Sequence, residues 1–390
     1  METCKMQPLK KRKRKTIISF RRVNNMDKDL RNILFSKFET SQLSLRNRIV
    51  MNPVPTGFVE SGVPKPEIAE FYKRRAKNVG LFIIGAINIE HETATNNENI
   101  PNISTSRDIE VWKQVTKAIH QEKSKAIAEL WHSGSSRAFS KTDLSLKVST
   151  PSGYIGKKKV GSPLSVEEIN LIVQKFAEAA RKAQISGFDG VDIHAAHGSL
   201  IHDFLTAETN QRTDEFGFKN RTYFAERVIK ECRKVVGDNF PIFIRLSNFK
   251  SYDPTAKLAK TLEELKQIII PISNAGVDIF DCSEINYTDS AVTGKSGNLA
   301  YWVKKITNKP TITTGGIGSP EILYKDIPTL ITEITSQPKM SYLHLQRKKA
   351  QIFYSNNLVS DFKEGGFDLL AFGRPLLINE NWFDEITEEV

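Results

Sequence analysis

GFDGVDIHAAHGSLIHDFL, residues 187–205, is the stretch whose reading decides the fold. A short apolar run, 190–193, gives way to two histidines, His194 and His197, spaced H-x-x-H and followed by Gly198. Apolar residues that stop at titratable ones mark the carboxyl end of a parallel strand in an α/β barrel, the edge where such barrels keep their chemistry. The bland alternative makes one histidine a satisfied core residue and the other a loop residue. The flanking chain decides between the two.

Outward from that stretch the chain repeats one unit: a short β-branched run, a polar loop, then a longer segment of helical periodicity. The runs predict strands at 48–51, 81–84, 126–130, 190–193, 242–246, 278–281, 311–313 and 369–372. Helical periodicity falls between them, at 66–78, 108–121, 166–186, 221–236 and 258–274, with Ser165 and Glu168 spaced as a capping box. Strand–helix alternation implies right-handed βα units on a parallel sheet. Eight such units favour a closed α/β (β/α)8 TIM barrel over an open doubly wound sheet. The connection between Gly316 and Gly373 is too long for one helix. It predicts a local helical insertion between strands 7 and 8, with extra helices around 327–335 and 342–356.

Composition bounds the rest. The 390 residues are 39% hydrophobic and 26% charged, an ordinary globular mixture, and no apolar run approaches a membrane span. Cys4, Cys232 and Cys282 lie far apart, which suits a reducing compartment and cannot supply a four-thiolate site. Of the net charge of +11, residues 1–22 hold nine lysines and arginines against one acid, leaving +3 for everything else. The folded body is therefore near neutral and gives no sign of a nucleic-acid face. Residues 1–25 read as a disordered basic arm ahead of one domain over 26–390. The run 10–15 is either a solvated tail or a nuclear-targeting or polyanion-binding segment on an otherwise cytoplasmic protein.

On a barrel, polar residues just past each strand converge. Here they are Pro53, Val54, Pro55 and Thr56; Gly85 and Ala86; Glu129 to His132; His194 and His197; Arg245; Gly315 and Gly316; Gly373 and Arg374. The last two pairs suit a phosphate, because glycine lets backbone N–H groups approach an anion and Arg374 adds a charge-assisted fork. Arg245 ends an apolar run and needs a partner. That partner is either a structural carboxylate, Asp192 or Asp281, or something anionic in the barrel mouth.

These motifs resemble the old yellow enzyme-like NADH:flavin oxidoreductases. LRNRIVMNP, FYKRRAKNVGLFIIGA, LWHSG, GFDGVDIHAAHG, DFLTAETNQRTDEFG, IFIRLS, KPTITTGGI and DLLAFGRPLL occur in that family's order between residues 43 and 382. The resemblance implies a barrel with FMN at its mouth, reduced by NADPH or NADH, passing hydride to an activated alkene or other small electrophile. It implies that Pro53, Val54, Pro55, Thr56 and Ala86 cradle the isoalloxazine. Glu129 and Arg245 would meet its pyrimidine edge, and Gly315, Gly316, Gly373 and Arg374 would take the phosphate. His194 and His197 would grip a substrate carbonyl oxygen and stabilise the developing enolate. Ser199 would occupy the proton donor's position.

Four departures stand out. Glu129 replaces a glutamine, which can both accept from and donate to the flavin where a carboxylate only accepts. Ser199 replaces the proton-donating tyrosine, so simple enones should react sluggishly unless another hydroxyl, such as Tyr72 or Tyr252, stands in. Pro55 sits where one branch has a redox-tuning cysteine, and EFGFKNR is slightly shorter than its counterpart. TGFVE after strand one resembles the dienoyl-CoA reductase branch. The scattered cysteines and the chain's end at Val390 lead us to expect neither that branch's iron–sulfur cluster nor its nucleotide domain. The reductant would then bind over the flavin in alternation with the acceptor. Two alternatives remain from the residues alone: a metal-dependent barrel hydrolase built on the histidines, and a flavin-binding barrel with lost or altered ene reduction, acting on quinones or nitro compounds.

Overall fold

The computed structural model describes residues 28–95, 97–139, 148–317 and 357–387. Eight parallel strands close into a barrel: β1 Ile49–Met51, β2 Leu81–Asn88, β3 Lys125–Trp131, β4 Gly190–His197, β5 Ile242–Lys250, β6 Ile279–Ser283, β7 Thr311–Thr314 and β8 Leu369–Phe372. Closure runs through β8 and β1, with Leu370 opposite Ile49 and Phe372 opposite Met51. Every expected strand is present, and the α/β barrel replaces the open-sheet alternative.

Helices return the chain outside the barrel: α1 Glu67–Ala76, α2 Ser106–Gln121, α3 Val166–Ile185, α4 Tyr223–Val236, α5 Leu262–Asn274, α6 Leu299–Thr307 and α7 Asn357–Lys363. The Ser165–Glu168 capping box opens α3, the side chain of each residue accepting from the other's backbone N–H. α5 starts four residues later than its periodicity suggests, because Thr261 and Glu264 form the same box and fix the first turn there. The expected insertion between β7 and β8 and the basic arm lie outside the described residues. No helix among the described residues is long and apolar enough to cross a membrane.

The core has two compartments. The larger lies between strands and helices; the smaller fills the barrel, where Val50, Leu81, Ile127, Phe243, Ile279 and Ile312 meet Phe38, Leu43 and Leu45. Those last three come from an N-terminal hairpin, Phe38–Glu39 with Ser44–Leu45, that plugs the barrel's amino end. Strand alternation carries the inward face upward in steps of two. From Ile127 it leads to Glu129, from Phe243 to Arg245, and from Ile279 to Asp281 and Ser283. An apolar floor therefore passes directly into a charged layer.

Candidate active site at the carboxyl edge of the barrel

Several strands run further than the sequence suggests, β4 and β5 with most consequence for the site. β4 does not stop at Ile193 but carries both histidines, with His194 opposite Arg245 and His197 opposite Lys250. β5 likewise continues four residues beyond Leu246, which places Arg245 inside the barrel rather than at a strand end. Neither extension is visible in hydropathy, because the added residues mix His194, His197, Ser247, Asn248 and Lys250 with Ala195, Ala196 and Phe249. A bulge between Ala195 and His197 re-aims the second histidine, whose φ is 59°. That left-handed backbone in a non-glycine residue is held by the His197 N–H donating to Ser247 Oγ at 2.8 Å.

Arg245 is 5% exposed and lies among three buried carboxylates. Its Nη1 sits 2.9 Å from Asp281 Oδ2 and 3.7 Å from Glu129 Oε1. The partner expected for Arg245 on structural grounds is thus Asp281. Asp192, the other candidate, is a neighbour whose charge is felt. Burial alone would lower the Arg245 pKa, but Asp281, Glu129 and Asp192 together raise it. Burial pushes Asp192 well above the carboxylate range, with Asp281 and Glu129 adding to it. Burial also raises Glu129 to about 7, against the pull of Arg245. Three carboxylates crowded around one cation disfavour full ionisation of the layer.

The same layer is incompletely bonded. Among the described residues, Arg245 Nε, Glu129 Oε1, Asp281 Oδ1 and both oxygens of Asp192 lack hydrogen-bond partners, and the 2.9 Å contact of Arg245 Nη1 with Asp281 Oδ2 is an ion pair without hydrogen-bond alignment. Buried polar groups left in that state ask for a ligand. Gly85 makes room beside them: a Cβ there would lie 2.5 Å from Glu129 Cβ and 2.6 Å from its Oε2.

On the opposite arc the side chains shrink. Thr56 is buried, Pro53, Val54 and Ala86 are half-buried, and Pro55 is exposed. Val54, Pro55, Thr56, Gly85, Ala86 and Tyr72 line one small cavity of about 20 Å³. Gly315 and Gly316 follow β7 directly and Gly373 follows β8, and these two strands are paired, so both glycine loops lie at one edge. Gly315 is sterically obliged, since a Cβ would lie 2.6 Å from the Tyr287 amide nitrogen. At Gly373 a Cβ would rest in ordinary contact with Val54 Cγ1 at 3.5 Å and Asn52 Cβ at 3.7 Å, so this glycine is not sterically obliged. Arg374 opens the short helix Arg374–Ile378.

The histidines bond to each other: His194 Nε2 is 3.2 Å from His197 Nδ1. His194 Nδ1 meets Ser199 Oγ at 3.1 Å, and His197 Nε2 meets Ser283 Oγ at 2.9 Å. All four ring nitrogens therefore have protein partners. Burial, with Arg245 and His202 nearby, holds His194 well below its usual pKa; burial, His194 and Arg245 do the same for His197. Both rings are neutral at pH 7, each with a single N–H to give. Ser199 points back at His194, and its Oγ also reaches the His194 carbonyl oxygen at 3.1 Å. Ser283 escaped the sequence reading, though its place two residues beyond Asp281 puts it on the same inward face. Tyr72 is buried against Phe71 and Phe82 on the β1–β2 side.

Among the described residues no group of three or more His, Cys, Asp and Glu is arranged to hold a metal ion. The charged layer, with Arg245 Nε and both Asp192 oxygens without hydrogen-bond partners among those residues, and the small-residue arc beside it fit FMN. On the resemblance, Arg245 and Glu129 would hold its pyrimidine edge, residues 53–56 and Ala86 its ring, and the glycine loops with Arg374 its phosphate.

Fold and site together define a (β/α)8 barrel with a buried charged layer and a histidine pair at its carboxyl edge. The chain belongs to the NADH:flavin oxidoreductase / NADH oxidase family, which matches residues 33–332. It is 30% identical over 309 residues to an NADH oxidase of Thermoanaerobacter brockii, covering 75% of this chain and 46% of that one. It is 33% identical over 265 residues to a putative 12-oxophytodienoate reductase-like protein of Arabidopsis thaliana, covering 62% and 80%. The first curated relatives it matches are spanned over only about half their length, 46%, 60% and 44%. Among solved structures, the old yellow enzyme homologue from Zymomonas mobilis superposes with a TM-score of 0.69 at 24% identity, over 90% of this chain and 92% of that one. That likeness bears on the fold.

Proposed function

We propose that the protein is an FMN-dependent NAD(P)H oxidoreductase that reduces an activated alkene, such as an α,β-unsaturated carbonyl, or a similar small electrophile. The carrying observation is the neutral His194–His197 pair standing beside a buried, incompletely bonded Arg245–Glu129 layer at the barrel's carboxyl edge. FMN, when bound, supplies a two-electron hydride store that NADH or NADPH refills. Arg245 gives the cation that favours negative charge at the pyrimidine edge. His194 and His197 orient an acceptor oxygen by N–H donation. Because every ring nitrogen is already engaged, that oxygen takes the place of the bond between the two rings, while Ser199 and Ser283 hold the outer nitrogens.

The relatives' names, NADH oxidase and 12-oxophytodienoate reductase, support a nicotinamide reductant and an enone-type acceptor. We take residues 26–390 as one FMN-binding domain and 1–25 as an arm outside the chemistry. The near-neutral body supports no nucleic-acid partner, and free buried Cys232 and Cys282 support a reducing, cytoplasmic compartment. The test is direct: the purified protein is yellow, and anaerobic NADH or NADPH bleaches it, with cyclohexenone or a quinone restoring the colour. A colourless protein that does not take up FMN contradicts the reading.

A further inference from the structure

Beside the histidine turn runs a chain of hydroxyls that the hydride chemistry above does not use. Tyr252 lies on the loop leaving β5, where the Ser251 N–H donates to the His197 carbonyl at 3.1 Å. Its ring packs on Gly198. A Cβ at that glycine, whose φ is 80°, would lie 2.6 Å from Tyr252 Cε1. The ring's orientation is fixed by stacking on Phe139, centroids 4.2 Å apart at 15°. The Tyr252 hydroxyl is 3.0 Å from Ser135 Oγ, and Ser135 Oγ is 2.6 Å from Asp203 Oδ1. Asp203 is fully buried and its Oδ2 accepts from the Ser135 N–H at 2.7 Å.

We propose that Tyr252 is the catalytic proton donor to the reduced substrate, recharged through Ser135 from Asp203. The proposal rests on the oxidoreductase reading above.

The direction of the hydrogen bonds decides whether Tyr252 can act. Ser135 has one hydroxyl proton. With Asp203 ionised, Ser135 donates to the carboxylate and accepts from Tyr252, so the phenol proton is engaged on Ser135. With Asp203 protonated on Oδ1, its O–H donates to Ser135, whose own proton then goes to Tyr252 at 3.0 Å or to the Gly198 carbonyl oxygen at 3.3 Å; the shorter bond frees the phenol proton to leave. Burial raises Asp203 to about 7, against hydrogen bonds from Ser135 and the charge of Lys250, with Glu208 acting in the same sense as burial. The groups facing it are therefore Ser135, Lys250 with its partner Glu208 at 2.8 Å, neutral His202, and Tyr252 itself. Burial also raises the Tyr252 pKa, so the resting phenol keeps its proton.

The step balances as follows. Hydride from the reductant adds to the β-carbon and the π pair moves onto the α-carbon and carbonyl oxygen. The Tyr252 O–H bond breaks as the α-carbon C–H bond forms. Ser135 reprotonates the phenolate, Asp203 reprotonates Ser135, and solvent reprotonates Asp203. Ser199, turned onto His194, keeps the histidine in place and donates nothing to carbon.

Tyr252→Phe keeps the stacked ring and removes only the hydroxyl. With flavin reduced by dithionite, the rate of cyclohexenone reduction should fall about 10²–10⁴-fold, the usual worth of general acid catalysis. Flavin reduction by NADPH and the dissociation constant of cyclohexenone from the oxidised protein should stay within twofold. In the parent protein the enone step should slow as pH rises through about 7. Asp203→Asn, whose amide donates to Ser135 at every pH, should flatten that profile; a merely structural Asp203 would leave its shape unchanged. A Tyr252→Phe protein that reduces cyclohexenone at the parent rate overturns the proposal and leaves the oxidoreductase reading standing. A protein without reducible flavin overturns both.

Discussion

The two arcs of the barrel mouth are built from opposite materials. Strands β3 to β6 present titratable side chains, Glu129, Asp192, His194, Arg245 and Asp281, with the Ser283 hydroxyl beside them. Strands β7, β8, β1 and β2 present glycines and small residues: Gly315, Gly316, Gly373, Pro53, Val54, Gly85 and Ala86. The first arc works through side-chain charge in a dry interior, where an unmatched partner is costly. The second works through backbone and space, where a single methyl group can matter. One arc is thus suited to chemistry and the other to holding a cofactor, and substitutions should separate the two.

The largest effect falls on the charged arc. Arg245→Ala leaves Asp281 and Glu129 buried without their cation, a change that typically costs about 3–5 kcal/mol. Urea unfolding should show that loss even in flavin-free protein. An unchanged midpoint would mean the three carboxylates are all neutral and the arginine idle. A smaller effect belongs to the other arc. Arg374→Ala should leave folding intact and weaken FMN binding by about 1.5–3 kcal/mol, or roughly 10–150-fold, measured by fluorescence titration of the flavin-free protein. Unaltered FMN affinity would misplace the phosphate.

The smallest effect concerns Glu129. When protonated, its carboxyl can both donate and accept, which restores the amide pattern that glutamine would supply. When ionised, its negative charge opposes the charge that reduction brings to the pyrimidine edge. With a pKa raised to about 7, it is mostly neutral at pH 6 and mostly ionised at pH 8. Glu129→Gln should therefore raise the flavin's reduction potential at pH 8 and barely change it at pH 6. Equal shifts at both values would show that Glu129 does not titrate there.

Much of this was legible because periodicity and glycine placement are local. All eight strands follow from short apolar runs, most of them β-branched, and the Gly315–Gly316 and Gly373–Arg374 loops announce themselves by position. The strand ends were not legible: Ala195, Ala196 and His197 extend β4, and residues 247–250 extend β5, through hydrogen bonding that hydropathy does not record. Arg245 could be read as needing a carboxylate, but the choice of Asp281 depends on the β5–β6 register, which sets those two residues opposite each other. The bonds from Ser283 to His197 and from Tyr252 through Ser135 to Asp203 join residues distant in sequence. They depend on side-chain directions that only closure of the barrel fixes.

The division of labour between the arcs is tested most directly by measuring two quantities on Arg374→Ala and Tyr252→Phe in parallel: FMN affinity, and the rate at which cyclohexenone reoxidises the reduced flavin. FMN affinity should fall only in Arg374→Ala, and the enone rate at full flavin loading should fall only in Tyr252→Phe. If either substitution moves both quantities together, the two arcs are not separate and the account is contradicted.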